Sequence, residues 1–378
     1  MRVVQIANGY LNNALYSKLF EALKKAGIEN LIFVPVKNGV KIKSDDACIY
    51  PCFSQLDRGL YYSKQKKIIK GLENTVDLKK VDIVHAHTLF SAGYSAWKLK
   101  EKYHIPYIVA VRNTDLNVFF KRAPYLRETG IRVMREAEKV IFLSPAYQTR
   151  VIHTYVPKNI RDEIYRKSLI IPNGISDIFL KNCFKKERIN KKDVKLIYVG
   201  EINQNKNLKE TIKAVSILKE RGYKIFLIVV GAVTDSKCKA LIEEDCVEYH
   251  EKCDQEQLIE YYRKADIFVM PSHTETFGLV YAEAMSQGLP VLYTKGQGFD
   301  GYFEDGQVGY AISDKDAGDL ADKIVLVLRQ YNSISANCIE EVKRFDWDLI
   351  GKEYCSIYNT AVMSCKNKIL CKSEGELH

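Results

Sequence analysis

Short apolar runs alternate with amphipathic runs along most of the chain, a pattern typical of parallel sheets covered by helices. Helical spacing of apolar residues predicts helices near 15–27, 88–103 and 124–138. The predicted strands of this first half are RVVQIA (2–7), LIFVPV (31–36), VDIVHAH (81–87), PYIVAV (106–111) and KVIFLS (139–144), and SLIIPNGI (168–175) closes it with a strand and a turn.

A polar, Lys-rich stretch at 179–193 has no clear apolar period, which favours a linker. The alternation resumes beyond it without a matching sequence period, so the chain is not a repeat array. The predicted strands are KLIYVG (195–200), FLIVVG (226–231), CVEYH (246–250), IFVMPS (267–272), PVLYT (290–294) and GYAI (309–312), and the predicted helices are 207–221, 255–264, 278–287 and 317–330.

A chain of 378 residues exceeds the size at which one hydrophobic core stops growing, so two domains are expected. We predict an α/β fold with two Rossmann-like, doubly wound domains facing each other across a cleft, at residues 1–180 and 190–340. An aromatic amphipathic helix is expected in the tail, 341–378, packed back on the N-terminal domain. Such sheets bind ligands at the carboxyl ends of their strands, so the loops there are the places for chemistry.

The composition, with 47% hydrophobic and 28% charged residues, is ordinary for a soluble globular protein. The longest apolar stretch, IFLIVVGAV (225–233), is far shorter than the roughly 18 residues that a membrane span needs. The first ten residues do not resemble a signal peptide. The ten cysteines lack paired spacing, which favours free thiols over a disulfide framework or a zinc site. A cytoplasmic location is therefore predicted.

A formal net charge of +10 predicts an anionic partner. The densest basic segment is SKQKKIIKGL (63–72), which contains Lys64, Lys66, Lys67 and Lys70 around an Ile-Ile pair. Two interpretations remain open: a solvated helix face, or a patch that binds an anionic membrane surface from the cytoplasmic side. The charge is spread out and not interleaved with aromatic residues, and nucleic-acid-binding signatures are absent, so a nucleic-acid partner is not expected.

The strongest candidate site is PSHTETFGLVYAEAMSQGLPV, residues 271–291, which reads as the end of a strand, a loop and a helix. Thr276 is a plausible N-cap for the helix. The first helical N–H groups, those of Gly278, Leu279 and Val280, have no acceptor within a helix and carry the positive end of its dipole. These amides are a suitable site for a phosphate group.

Two glutamates flank this phosphate site. Glu283 lies five residues beyond Gly278, about 7.5 Å along a helix axis, an offset comparable to that between a nucleotide's distal phosphate and its ribose. A carboxylate accepts two hydrogen bonds and so suits paired ribose hydroxyls. Glu275 precedes the helix, where a transferred group would lie. The alternative is a surface helix with two solvated glutamates.

Lys206 lies in VGEINQNKNLKE (199–210), a loop that follows another predicted strand. Asn205 or Asn207 is expected to cap the next helix, and Lys206 would project into the cleft and neutralise a diphosphate. The alternative is an ordinary exposed lysine.

GQGFDG (296–301) matches G-x-G-x-x-G, but EDGQVG (304–309) ends any helix within a turn. We interpret it as a phosphate- or sugar-facing loop and not as a dinucleotide site.

Two strand ends of the first half carry further candidates. His85 and His87 lie on the same face of one predicted strand. Cleft-lining or hydrogen-bonded structural roles are favoured over metal binding because no third ligand is nearby. Arg112 and Asp115 follow the next strand, as candidates for a phosphate clamp and a ligand of a substrate hydroxyl. Walker A, Gly-x-Ser-x-Gly and HExxH motifs are absent.

VMPSHTETFGLVYAEAMSQGLPVL resembles the E-x7-E signature of the retaining, nucleotide-sugar-dependent glycosyltransferases of family 4 (the group 1 glycosyltransferases), which have the GT-B fold. LIYVGEINQNKNLKETIKAV, LIIPNGISDIF and DIVHAHTLFSAGYSA also resemble blocks of that family, in the expected order. The resemblance covers about residues 80 to 330.

The resemblance implies a second domain that binds a UDP- or GDP-linked nucleotide sugar and a first domain that binds the acceptor. Glu275 would contact the donor sugar and Glu283 the ribose, while the 278–280 amides and Lys206 hold the distal phosphate and Gly231 lines the nucleotide pocket. It implies transfer of a hexosyl or N-acetylhexosaminyl group, with retention and without a metal cofactor, to a hydroxyl of a lipid-linked or polysaccharide precursor.

Two positions depart from the family pattern. Glu201 stands where members often carry Arg, so one cation of the phosphate clamp is missing, and Arg112 stands roughly where many carry a cleft His. Two other functions remain open: a nucleotide-sugar epimerase on the same fold, and a non-catalytic subunit that binds nucleotide sugars.

Overall fold

The fold is described from a computed structural model of the chain, which describes residues 1–187 and 193–375. Its strands are Arg2–Ile6 (β1), Glu29–Lys37 (β2), Ala47–Phe53 (β3), Ile83–Ala86 (β4), Tyr107–Val111 (β5), Lys139–Phe142 (β6), Ser168–Ile170 (β7), Asp193–Val199 (β8), Lys224–Val230 (β9), Val247–His250 (β10), Ile267–Met270 (β11), Val291–Thr294 (β12) and Gly309–Ile312 (β13).

The α-helices are Leu15–Lys25 (α1), Tyr61–Thr75 (α2), Tyr94–Tyr103 (α3), Arg127–Glu136 (α4), Pro145–Tyr155 (α5), Arg161–Lys167 (α6), Asp177–Lys181 (α7), Leu208–Glu220 (α8), Gln255–Lys264 (α9), Leu279–Ser286 (α10), Ala317–Arg329 (α11), Tyr331–Glu341 (α12) and Trp347–Gly375 (α13). Within the described ranges, none of these helices is long and apolar enough to cross a bilayer.

The chain divides into two compact units. Unit 1 comprises Met1–Leu143, Gln148–Pro172 and the C-terminal segment from Trp347, and unit 2 comprises Ser144–Tyr147 and Asn173–Asp346.

Unit 1 is built on a parallel sheet in the order β3-β2-β1-β4-β5-β6-β7. The central strands β4 and β5 are buried at every position, as expected for strands covered by helices on both faces. Helix α13 contributes Trp347, Tyr354 and Tyr358 to the core that α1 covers. The strand order reverses between β1 and β4, so the loops after these strands meet at the switch point of the sheet.

Unit 2 is built on a second parallel sheet in the order β10-β9-β8-β11-β12-β13. Its strand order reverses between the paired strands β8 and β11, and its core is formed from both faces of this sheet. The predicted α/β class with two parallel, doubly wound sheets is confirmed. The loops that follow β8 and β11 contain the candidate residues Lys206 and Glu275, and both emerge at the switch point, where ligands of such sheets bind.

The predicted linker at 179–193 is wrong for the part that the structure describes. Phe179 is fully buried in the core of unit 2 against Tyr262, and the Phe184 N–H donates to the Ser286 carbonyl oxygen at 3.0 Å. The buried Phe179 side chain and the main-chain hydrogen bond of Phe184 therefore attach this segment to the unit. Residues 188–192 of the predicted linker lie outside the described residues.

Candidate functional site

The loop between β11 and α10 ends in a glycine whose backbone only glycine adopts easily. Gly278 is the N-cap of α10 with φ +79°, and an added Cβ would lie 2.5 Å from the Tyr281 ring. This corrects the predicted N-cap, Thr276, whose N–H instead donates to Glu275 Oε1 at 3.0 Å. The amides of Leu279 and Val280 then begin the helix, so a phosphate can approach their N–H groups without meeting a side chain at position 278.

Lys206 and Glu275 are brought together from different loops. Lys206 Nζ lies 2.5 Å from Glu275 Oε2, and the two side chains are 22% and 13% exposed. Since neither is freely solvated, their attraction is screened less than that of a surface pair. In this state Lys206 neutralises Glu275, so an incoming diphosphate must share or replace this carboxylate as the partner of the lysine.

Asn205 fastens the Lys206 loop to the Glu275 loop. Its carbonyl oxygen accepts the His273 N–H at 2.8 Å, and its side chain exchanges two hydrogen bonds with the main chain of Thr274, at 3.1 and 3.0 Å. Asn207, the N-cap of α8, donates to the carbonyl oxygens of Pro271 and Asp314. The sequence indicates these two residues only as helix caps, because their partners lie more than sixty positions away.

Glu283 projects from α10 and is half-buried. Tyr262, on α9, places its hydroxyl 3.5 Å from Glu283 Oε2. Loss of hydration raises the pKa of Glu283 to about 7, against an opposing contribution from that hydroxyl. A carboxylate with so few partners has free acceptor capacity, and the hydroxyls of a ribose would satisfy it.

Gly231 follows β9 and lies beside the ends of β8 and β10. Its N–H donates to the His250 carbonyl oxygen at 3.0 Å and its carbonyl oxygen accepts from the Tyr249 hydroxyl at 3.1 Å. Glu201 is exposed at the end of β8 and accepts from Asn203 Nδ2 at 3.1 Å. A carboxylate therefore stands at the start of the Lys206 loop, where the family pattern predicts a cation.

Asp115 in unit 1 has a role that the sequence did not predict. The side chain is fully buried, and its oxygens accept the N–H groups of Leu89, Phe90 and Arg112 at 3.0, 3.0 and 2.8 Å. Burial raises its pKa to about 6 despite these bonds. Asp115 thus holds the loops after β4 and β5 together, which corrects its assignment to a substrate hydroxyl, since no oxygen is left exposed.

Arg112 follows β5, the neighbour of β4 in the sheet of unit 1. Its Nε is 3.4 Å from the His87 carbonyl oxygen, and its Nη1 is buried with no hydrogen-bond partner among the described residues. Because protein atoms enclose this donor, the phosphate clamp at Arg112 stays a prediction. The structure places Arg112 in unit 1, while Lys206 and Glu275 lie in unit 2.

His85 and His87 stack on each other inside unit 1, and each is hydrogen-bonded to another side chain. Their rings stack at 3.9 Å, His85 Nδ1 contacts the Tyr358 hydroxyl at 2.8 Å, and His87 Nε2 contacts Gln5 Oε1 at 2.8 Å. Burial lowers the pKa of both imidazoles, so they are neutral near pH 7. These contacts support the structural role. Among the described residues, no group of three or more His, Cys, Asp or Glu side chains has the arrangement of a metal site.

The four lysines of the basic segment lie on α2 and differ in their surroundings. Lys67 Nζ pairs with Asp57 at 2.7 Å, and Lys64 Nζ lies 4.3 Å above the Phe53 ring. Lys66 and Lys70 are exposed one helical turn apart, which leaves them on the same face of the helix.

Comparison with known proteins identifies both halves of the chain. The model described as glycosyl transferases group 1 matches residues 181–345, and the model described as glycosyltransferase family 4 matches residues 17–177. A D-inositol 3-phosphate glycosyltransferase of Arthrobacter sp. is 25% identical over 342 residues, 82% of this chain and 80% of that protein.

Two further similarities extend over most of the chain. The alpha-monoglucosyldiacylglycerol synthase of Acholeplasma laidlawii is 26% identical over 315 residues, 77% of this chain and 78% of that protein. A solved structure of a lipopolysaccharide outer core galactosyltransferase matches with a TM-score of 0.74 at 15% identity, covering 96% of this chain and 99% of that one. The likeness to such structures confirms the GT-B fold.

Proposed function

Since the chain belongs to the group 1 and family 4 glycosyltransferases, we propose that it transfers a sugar from a nucleoside diphosphate donor bound by unit 2. The observation that carries this proposal is the arrangement around α10. Its first amides face a loop whose Glu275 is paired with Lys206, and Glu283 follows on the same helix. A cation, free N–H groups and two separated carboxylates suit a diphosphate with a sugar at each end.

In this proposal the 278–280 amides bind the distal phosphate and Glu283 accepts from the ribose hydroxyls. The diphosphate takes over the Lys206 ammonium, and Glu275 is released to accept from hydroxyls of the transferred sugar. As the bond to the sugar breaks, negative charge grows on the leaving diphosphate, and Lys206 and the start of α10 stabilise it. The role of the protein is thus electrostatic stabilisation and positioning.

The finer chemistry follows from the family expectation. We propose that the sugar is a hexosyl or N-acetylhexosaminyl group, that the nucleotide is UDP or GDP, and that the anomeric configuration is retained. The leaving phosphate would help to take the proton of the acceptor hydroxyl on the same face of the sugar. No metal cofactor is needed in this scheme, because Lys206 and the helix amides supply the positive charge.

We propose a lipid-linked or polysaccharide precursor as acceptor. One relative synthesises a monoglucosyldiacylglycerol by its name, and a galactosyltransferase of lipopolysaccharide outer core shares the fold. We propose that unit 1 also binds an anionic membrane surface through α2. Tyr62, Lys66 and Lys70 are exposed and lie on one face of this helix. Large side chains just before α2 are exposed, Leu56 by 83% and Leu60 by 61%. Tyr125, in the short turn Pro124–Leu126 before α4, is exposed by 70%.

A ligand panel followed by a turnover assay tests the proposed function. A nucleotide or nucleotide sugar at about 100 times its dissociation constant should stabilise the protein by about 2.7 kcal/mol, which a thermal-shift measurement detects. Release of free nucleotide only after an acceptor is added would distinguish a transferase from both an epimerase and a binding subunit. If no UDP, GDP or ADP species shifts the melting temperature, the proposed donor site is wrong.

Membrane binding is tested separately, by flotation with vesicles that contain or lack anionic phospholipid. The wild-type chain should float with anionic vesicles only, and Lys66→Glu with Lys70→Glu should abolish flotation without loss of turnover on a soluble acceptor. Lys219→Glu with Lys224→Glu, the same charge reversal at two exposed lysines of unit 2, should leave flotation unchanged. Equal flotation of both variants would show that α2 does not bind the membrane.

A further inference from the structure

The glycine-rich loop at 296–301 holds the main chain of Glu275 on both sides. The Gly298 N–H donates to the Glu275 carbonyl oxygen at 2.7 Å, and the Glu275 N–H donates to Gln297 Oε1 at 3.2 Å. The loop follows β12, the neighbour of β11 in the sheet, so sheet topology brings it to the Glu275 loop.

The contact between these two loops is close and leaves little room for adjustment. A Cβ on Gly298 would lie 2.1 Å from the carbonyl carbon and oxygen of Thr276 and 2.4 Å from the Phe277 nitrogen. The next residue, Phe299, is buried with its ring 4.9 Å from that of Tyr281 on α10. The position of Gln297 is therefore set by packing on both sides, as precise ligand contacts require.

Gln297 has unused hydrogen-bonding capacity. Its side chain is half-buried, and its Oε1 is occupied by the Glu275 N–H. No acceptor for its Nε2 is found among the described residues, so the carboxamide retains two N–H donors beside the Glu275 carboxylate. Sugar hydroxyls both donate and accept, and a carboxylate next to a carboxamide offers them an acceptor and a donor together.

We propose that Gln297 is a sugar-recognition residue, whose Nε2 donates to a hydroxyl of the transferred sugar while its Oε1 fixes the backbone of Glu275. This inference rests on the proposed function, because it places the donor sugar at Glu275. The glycine-rich loop then recognises the sugar, while α10 and Lys206 bind the phosphate. The substrate class is a donor whose sugar carries a free hydroxyl within reach of both side chains.

The test compares Gln297→Ala with Gln297→Glu, after the donor has been identified with the wild-type enzyme. Glutamate keeps an acceptor for the Glu275 N–H but removes the two donors, so a loss shared by both variants comes from the sugar contact and not from the backbone contact. Either variant should lower kcat/KM by about tenfold or more, the usual worth of one or two hydrogen bonds. The nucleoside diphosphate alone should bind Gln297→Ala, which adds no charge, within about twofold of wild type. Gln257→Ala, an exposed glutamine on α9, is the matched control.

Donor analogues that lack one hydroxyl at a time give the readout that a structural role would not change. The wild-type enzyme should discriminate against one deoxy donor by about tenfold, and Gln297→Ala should reduce that ratio towards one. The same ratios in both enzymes would overturn the inference, as would a loss of nucleotide affinity equal to the loss in kcat/KM. A wild-type chain that binds no nucleotide sugar would refute the proposed function before any variant is made.

Discussion

Replacing Glu283 with glutamine separates the cost of burying this carboxylate from its use in binding. Glutamine has nearly the same shape, keeps an oxygen as acceptor for the Tyr262 hydroxyl and carries no charge. The folded protein should therefore become more stable while the proposed ribose contact becomes weaker. These opposite effects are characteristic of a functional carboxylate in a dehydrated position.

The size of the stability effect follows from the pKa of Glu283, which burial raises from 4.5 to about 7. Below pH 4.5 the side chain is protonated in the folded and unfolded chains alike, so its burial does not lower the free energy of unfolding. Between pH 4.5 and 7 the unfolded chain loses the proton while the folded chain keeps it, and stability falls; above pH 7 the cost is complete. That cost is about 3 kcal/mol, or about 2 kcal/mol once water access to the half-buried side chain is allowed for.

The assay is thermal unfolding of wild type and Glu283→Gln, at about pH 5 and about pH 8. At the higher pH the variant should melt about 4 to 8 °C above wild type, since about 2 kcal/mol is gained in a unit of this size, and the difference should be much smaller at the lower pH. Titration calorimetry at the higher pH should show nucleoside diphosphate binding weakened by about tenfold, because an amide offers the ribose one acceptor oxygen and no charge.

Glu251→Gln, which changes an exposed glutamate of the same unit, is the control for removal of a negative charge. A Glu283→Gln variant no more stable than this control at the higher pH would refute the argument from burial. A variant that is stabilised but binds the nucleotide as tightly as wild type would refute the assignment of Glu283 to the ribose.

Three further changes test other parts of the site. Glu275→Ala should lower turnover by about 100-fold or more while the nucleotide alone binds as tightly or more tightly, because Lys206 is released; weaker nucleotide binding would contradict the Lys206–Glu275 competition. Asp115→Ala should cost about 3 kcal/mol in chemical denaturation, because three buried N–H groups lose their acceptor, whereas exposed Asp162→Ala should cost little. Treatment with EDTA should leave turnover unchanged, and an activity restored only by added Mn²⁺ would exclude the metal-free scheme.

The regular elements were predictable because their signals are local. Predicted helix 255–264 coincides with α9, and the predicted helix at 278–287 differs from α10 by one residue at each end. The predicted helix at 88–103 instead begins with a wider π-helical turn, Leu89–Gly93, where Asp115 binds the loop amides. The sequence pattern did not predict the edge strand β3. Its sequence, ACIYPCF, contains a proline and lacks a regular alternation of apolar and polar residues, and it forms a strand by pairing with β2.

The candidate site was predictable where one segment carries several of its residues. The loop and helix that carry Glu275 and Glu283 are predicted by one continuous pattern, in which a strand, a glycine and a helix follow each other. Lys206 was identified from its own loop, but its pairing with Glu275 depends on the adjacency of β8 and β11, which no local pattern encodes. The roles of Asp115 and Gln297 depend on contacts between separate loops in the same way, so they appear only in the fold.

We propose that this glycosyltransferase moves a sugar from a nucleoside diphosphate to an acceptor hydroxyl with retention. The most direct test is to follow the anomeric proton of the sugar by NMR during a reaction with donor and acceptor. We expect equimolar appearance of free nucleoside diphosphate and of a new glycoside with the anomeric configuration of the donor. A glycoside of inverted configuration, or an epimerised donor formed without any acceptor, would contradict it.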